Sequence, residues 1–217
     1  MTEGEVQMQQ DSEACLRVSG LALGGEGRSR LTGWSAIFGP GLSLIVDEEG
    51  VLNGPLLQVL AGETRPGAGT VRWGGVDVAA LREQAPQRLF WRDPRAPWPE
   101  ISPQQWADEQ AARYPTWREA DWQRHVEGWA LQEHLHKEMF RLSTGSKRKV
   151  LLAAALASGA PLTLIDEPEA ALDRASILYL REALSEEAGR PHEAARIWVV
   201  ANYATLPDVP WGQILTP

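Results

Sequence analysis

Between positions 15 and 46 the apolar residues come in short runs, CLRVSGLAL, WSAIF and LSLIV, separated by the glycine-rich turns GGEGR and GPG. Brief runs of this kind between turn residues predict strands, here a small sheet layer. The period then changes. LLQVLAG places its apolar side chains at helical spacing, and Gly62 supplies a left-handed stop. TRPGAGTVRWGGVDV predicts a turn, a strand and a second turn, and the proline-rich LFWRDPRAPWPE predicts irregular chain from Arg92 to Pro103.

From Pro103 to Leu142 the pattern is helical. Thr116 and Glu119 have the spacing of a capping box, and Trp122, Val126 and Trp129 follow at intervals that place them on one helical face, as core packing. Ser146 to Leu156 predicts another helix. PLTLIDEP reads as a short buried strand ending in two acids, ASILYLREALSEEAG as an amphipathic helix, and RIWVVANYA as a further apolar strand. Strands alternating with helices argue for an α/β layer with parallel strands.

Composition narrows the function classes. The 217 residues are 43 % hydrophobic, enough for one domain with a real core, and a net charge of −8 with no basic run longer than Lys147 to Lys149 argues against a nucleic-acid partner. A lone Cys15 forms no internal disulfide, which fits a reducing, cytoplasmic setting. Residues 1–14 are polar and acidic, unlike a signal peptide, and are expected to form a flexible tail ahead of a single domain at 15–217. The longest apolar stretch, Val150 to Ile165, is broken by Ser158, Gly159 and Pro161, so no direct membrane insertion is expected. Six of the ten tryptophans lie between residues 91 and 129, which suggests a helical subdomain at about 92–145.

Three stretches carry candidate chemistry. The first is the strand, turn and helix around DEEGVLNGP, the setting of a phosphate-binding loop; the second is LSTGSKRKV, and the third LTLIDEPEAALD. Read by themselves, Asp166 and Glu167 either serve a metal-bound phosphate at a strand's C-terminal edge or cap a turn. Ser143 is either a phosphate contact or a plain N-cap. His134 and His136 lack the partners of a metal set and read as surface helix.

In this order and spacing the chain resembles the nucleotide-binding subunits of ATP-binding cassette (ABC) ATPases over roughly residues 16 to 205. The resemblance implies an α/β P-loop NTPase core of ABC type, with an N-terminal antiparallel β subdomain and a helical subdomain. It assigns Mg²⁺ binding to Asp166, the polarising of the attacking water to Glu167, and a dimer contact to Ala171, Leu172 and Asp173. Ser143 and Gly145 stand where the family grips the γ-phosphate of an ATP held by the opposite subunit. Asn202 takes the position of a histidine that contacts the same phosphate.

The phosphate loop departs most from that pattern. Aligned on LLQVLAG, the family's GxxGxGK[ST] falls on Asp47 to Gly54: Gly50 keeps its place, Leu52 replaces a glycine, Asn53 the lysine and Gly54 the metal-binding hydroxyl. Asn53 brings no charge, Gly54 no oxygen and Pro55 no N–H. A carboxylate about 6 Å from a phosphate charge is repelled by roughly 3 kcal/mol at an effective dielectric of about 20, and Asp47, Glu48 and Glu49 are all available. Leu52 is expected to strain the loop, and Asn53 to N-cap an ordinary helix.

ATP and Mg²⁺ are therefore expected to bind weakly or not at all at this chain's own loop. The implied role is a degenerate cassette subunit, with a transmembrane permease and a second nucleotide-binding subunit, the same or different, as partners. Its implied location is cytoplasmic, peripheral on the inner face of the membrane. Two alternatives stand beside it: an active ATPase in which Arg92, Arg95 or a lysine replaces the missing charge, and a scaffold or regulatory protein that kept the fold. The small, lone-domain layout is similar to the haem-exporter ATPase subgroup.

Overall fold

The computed structural model describes residues 15–24, 31–190 and 196–217. The expected tail at 1–14 and most of the turn GGEGR lie outside the described residues. Strands β1 (Leu16–Leu23), β2 (Leu31–Phe38), β4 (Ala68–Trp73) and β5 (Val76–Asp77) form an antiparallel sheet in the order β2-β1-β4-β5. Strands β3 (Gly41–Val46), β6 (Leu89–Phe90), β7 (Leu162–Asp166), β8 (Ile197–Asn202) and β9 (Gln213–Leu215) form a parallel sheet in the order β6-β7-β8-β3-β9.

The parallel sheet is covered on both faces, which is why its strands read as nearly unbroken apolar runs rather than alternating ones. Along β8, Ile197, Val199 and Ala201 face one core, together with Leu56, Leu57 and Leu60 of helix α1 (Asn53–Leu60). Trp198 and Val200 face the other. That second core holds α5 (Thr144–Ala157), together with the buried faces of α3 (Pro103–Arg113), α4 (Glu119–Gly128) and α6 (Arg174–Ala188). Trp122, Val126 and Trp129 are all buried there, as their spacing predicts.

Several local expectations are corrected. Thr116 does not cap α4; its hydroxyl donates to the Ser158 carbonyl at 2.8 Å, and the helix begins at Glu119 without a side-chain cap. The capping box is one helix earlier, where Ser102 and Gln105 exchange hydrogen bonds at 3.2 and 3.0 Å around the start of α3. Helix α2 (Val78–Gln84), capped by Asp77, follows the second turn in a stretch to which the sequence reading assigned no element. Residues 91–102 are irregular, as their prolines predict.

Gly62 ends the run of α1 with φ +66°, and an added Cβ would lie 2.7 Å from the Val78 carbonyl oxygen. The same glycine thus stops the helix and lets α2 approach it.

Candidate functional site

Strands β7, β8 and β3 are adjacent and parallel, so their C-terminal ends open onto one edge of the sheet. That edge collects Asp166 at the end of β7 and Glu167 just after it, Asn202 at the end of β8, and the loop 47–52 leading into α1. Ligand sites of open α/β sheets lie at such an edge.

The loop is tied by its own residues. The Asp47 carboxylate accepts the Leu52 N–H at 2.6 Å, and the Asp47 carbonyl accepts the Gly50 N–H at 2.8 Å. Gly50 has φ +66°, whereas Leu52 has φ −90°, so the strain expected at Leu52 is absent: the chain turns without a left-handed residue there. Leu52, not Asn53, is the N-cap of α1, and Asn53 opens the first turn. Asn53 is fully buried, and neither its Oδ1 nor its Nδ2 has a hydrogen-bond partner. Asp47 is buried, while Glu48 and Glu49 are exposed. A shallow cavity of about 440 Å³ lies against Asp47, Glu49, Val51 and Leu52.

At the end of β7, Asp166 is buried, and Glu167 has φ +42°, a costly conformation for a side-chain-bearing residue. The Glu167 N–H is held by the Ala201 carbonyl at 2.8 Å. An added Cβ on Gly50 would stand 3.8 Å from Glu167 Oε1, so loop and acid are neighbours. Asn202 spends its amide N–H on the Ala204 carbonyl at 2.7 Å, and its Oδ1 is buried without a partner.

Two arginines complete the edge. Arg95 reaches in from the irregular 91–102 segment, with Nη1 2.5 Å from Asp166 Oδ2 and Nη2 3.6 Å from Glu167 Oε1. Its position is built by its neighbours. Asp93 accepts the Arg95 N–H at 2.8 Å, while Arg92 donates to the Ala96 and Pro97 carbonyls and lies 4.2 Å over the Trp98 ring. Arg148, on α5, donates to the Asp166 carbonyl at 2.7 Å. Burial pushes the Asp166 carboxyl above its ordinary range, although Arg95 pulls the other way. Burial opposes the Arg95 charge too, but the attraction of Asp166 and then Glu167 prevails and holds its pKa above the usual value.

Ser143 and Gly145 stand at the start of α5. Ser143 is the N-cap and accepts the Ser146 N–H at 3.0 Å while remaining exposed. Gly145 packs against the turn after β7: an added Cβ would lie 2.5 Å from the Ala171 carbonyl oxygen. Asp173 in that turn caps α6 through the Ser176 N–H and pairs with Lys149 at 3.3 Å. The turn therefore fixes the position of the α5 N-terminus.

Comparison with known proteins accords with this edge. The profile of the family described as ABC transporter matches residues 54–170, more than half the chain. A cytochrome c biogenesis ATP-binding export protein, CcmA, of Paramagnetospirillum magneticum is 32 % identical over 210 residues, 93 % of this chain and 89 % of that one. The chain belongs to the ABC transporter ATP-binding family. An aliphatic sulfonates import ATP-binding protein, SsuB, of Pseudomonas entomophila is 32 % identical over 149 residues, 68 % of this chain but 52 % of that longer one. A putative ABC transporter ATP-binding protein from Pyrococcus furiosus has the same fold, with TM-score 0.74 at 19 % identity over 93 % of this chain and 96 % of that one.

Within the ABC fold, the sequence singled out Asp166, Glu167, Asn202, Gly50, Asn53, Gly54 and Pro55, and the structure brings all of them to one sheet edge. Arg148 was not among them. Its signal, a cation one helical turn after Gly145, is weak in a sequence where basic residues on helices are common.

Proposed function

We propose that the chain is the cassette subunit of a membrane transporter whose own phosphate loop is degenerate, and that it serves a composite site by lending Ser143 and Gly145 to a partner. The observation that carries this reading is the opening of α1. In place of a lysine there is an uncharged, fully buried Asn53, and in place of a hydroxyl there is Gly54. Mg²⁺ and a triphosphate do not fit the residues present. The N–H of Leu52 is already taken by the Asp47 carboxylate, Pro55 has none, and Asp166 is engaged by Arg95. No hydrolytic step is assigned to this edge.

The other half is better preserved. Ser143 is exposed at the first turn of a long helix, where its hydroxyl and the neighbouring N–H groups can meet an anion from another subunit. Among the described residues no helix is long and apolar enough to cross a membrane, so attachment to one would run through a permease partner. The relatives carry names of both an export and an import protein, and neither direction is assigned to this chain.

The test uses the assembly co-purified from membranes with its permease and second cassette. Ser143→Arg is expected to abolish its ATP hydrolysis, while Glu167→Gln leaves the rate within about twofold. Loss of hydrolysis in Glu167→Gln with none in Ser143→Arg would favour the alternative, an active site at this chain's own loop. Recovery of no transmembrane subunit would favour a scaffold role.

A further inference from the structure

Two residues border the position the family gives to a metal, Gly54, where the pattern has a hydroxyl, and Arg95; they are far apart in sequence and adjacent in space. An added Cβ on Gly54 would lie 3.0 Å from Arg95 Nη1 and 3.7 Å from Asp166 Oδ2. The space that a serine or threonine side chain would need is bordered by the guanidinium, and that guanidinium bridges both acids of the pair.

We infer that Arg95 is a resident cation: its guanidinium takes the place of a divalent metal between Asp166 and Glu167, and glycine at 54 makes room for it. This deepens, and rests on, the reading of the phosphate loop as degenerate. The two features then act together. Losing the hydroxyl removes a metal ligand and opens the space, and the arginine fills it and offsets one of the two negative charges.

The alternative, that Arg95 is an incidental surface contact, does not match its surroundings. Asp93 fixes its backbone, Arg92 pins the following turn, and Asp166, its partner, is 2 % exposed. A buried carboxylate requires a counter-charge, and among the described residues Arg95 is the one within ion-pair distance; Arg148 meets the Asp166 carbonyl instead. Both Asp166 oxygens are open to a cation once the guanidinium leaves, since Oδ2 is held by Arg95 and Oδ1 has no partner. With Glu167 these are the hard oxygen donors a divalent cation takes, so removing the guanidinium should expose a metal site.

The test is Mn²⁺ binding to the purified full chain, followed by electron paramagnetic resonance, with folding checked by circular dichroism. Arg95→Gln is expected to bind Mn²⁺ at least about tenfold more tightly than the native chain, and Arg95→Lys, which keeps a cation, to bind no better than native. Adding Asp166→Asn to Arg95→Gln should remove the gain. Gly54→Ser is the second variant: it crowds the guanidinium and supplies an oxygen, and is expected to gain Mn²⁺ binding with Arg95 in place. Native binding as tight as that of Arg95→Gln, or a lack of gain in whichever of the two variants folds, would overturn the inference. Neither result bears on the parent reading, which fails instead if the native chain binds Mg-ATP.

Discussion

At the scale of single residues, the site depends on close approaches that only small side chains allow. Gly145 meets the Ala171 carbonyl so closely that a methyl group there would stand 2.5 Å from the oxygen. Gly145→Ala is expected to cost about 1–3 kcal/mol in urea unfolding, because α5 and the turn before α6 must move apart. Ser143→Ala, which removes the cap of α5, should cost about 1 kcal/mol by the same measurement. The mirror case is Asn53. Its identity was legible in the sequence as a missing lysine, but the helix cap expected of it is not made: Leu52 is the N-cap, the helix begins one residue earlier than the side-chain chemistry suggested, and the Asn53 amide has no partner.

Among elements, the contact between α4 and α6 carries a pH dependence. His125 is 1 % exposed; its ring packs on Trp129 and Tyr179, and Nδ1 lies 3.0 Å from the Tyr179 hydroxyl. Burial, and then the neighbouring Arg124, lowers its pKa from 6.5 to about 4, against the opposing pull of Asp121 and Glu186. A pKa lower in the folded than in the unfolded chain means that stability from this group is complete above about pH 6.5 and is lost as pH falls towards 4. The loss amounts to about 3 kcal/mol at most. Denaturant midpoints measured between pH 7 and 4 should fall in the native chain and fall less in His125→Gln.

A second inter-element contact is the buried Arg196, which donates to the Ala155, Leu156 and Ala160 carbonyls and to Thr163 Oγ1, and pairs with Glu187 at 3.5 Å. It joins the C-terminus of α5, β7 and α6. Arg196→Met would remove these contacts, but Ser158 Oγ still donates to the Ala155 carbonyl, Arg118 to the Leu156 carbonyl, and Arg118 and Arg190 still pair with Glu187, so the expected cost in urea unfolding is about 1–3 kcal/mol. Neither His125 nor Arg196 stood out in the sequence. A lone histidine in a tryptophan-rich helix and an arginine opening a strand have no local signature, since their partners come from distant segments. By contrast, the parallel strands, α1 and the tryptophan face were legible, because burial on both faces or on one stripe leaves a period in the chain. The short strands β6 and β9 were not, having too few residues to show one.

Viewed whole, the molecule has the ABC fold, with Asn53 and Gly54 opening α1 at the sheet edge and Ser143 and Gly145 at the start of α5. The sheet edge and the start of α5 were both legible as motifs, from LIDEP and LSTGS. The pairing of Arg95 with Asp166 and Glu167 was only half legible: a cation nearby was visible, but which one reached the acids depends on how Asp93 and Arg92 fold the irregular segment. The central claim is that this chain's own loop does not hold a triphosphate. Isothermal titration of the purified native chain with Mg-ATP tests it most directly. No saturable heat is the predicted result; one-to-one binding that is lost when Asp166 is changed to Ala would contradict it.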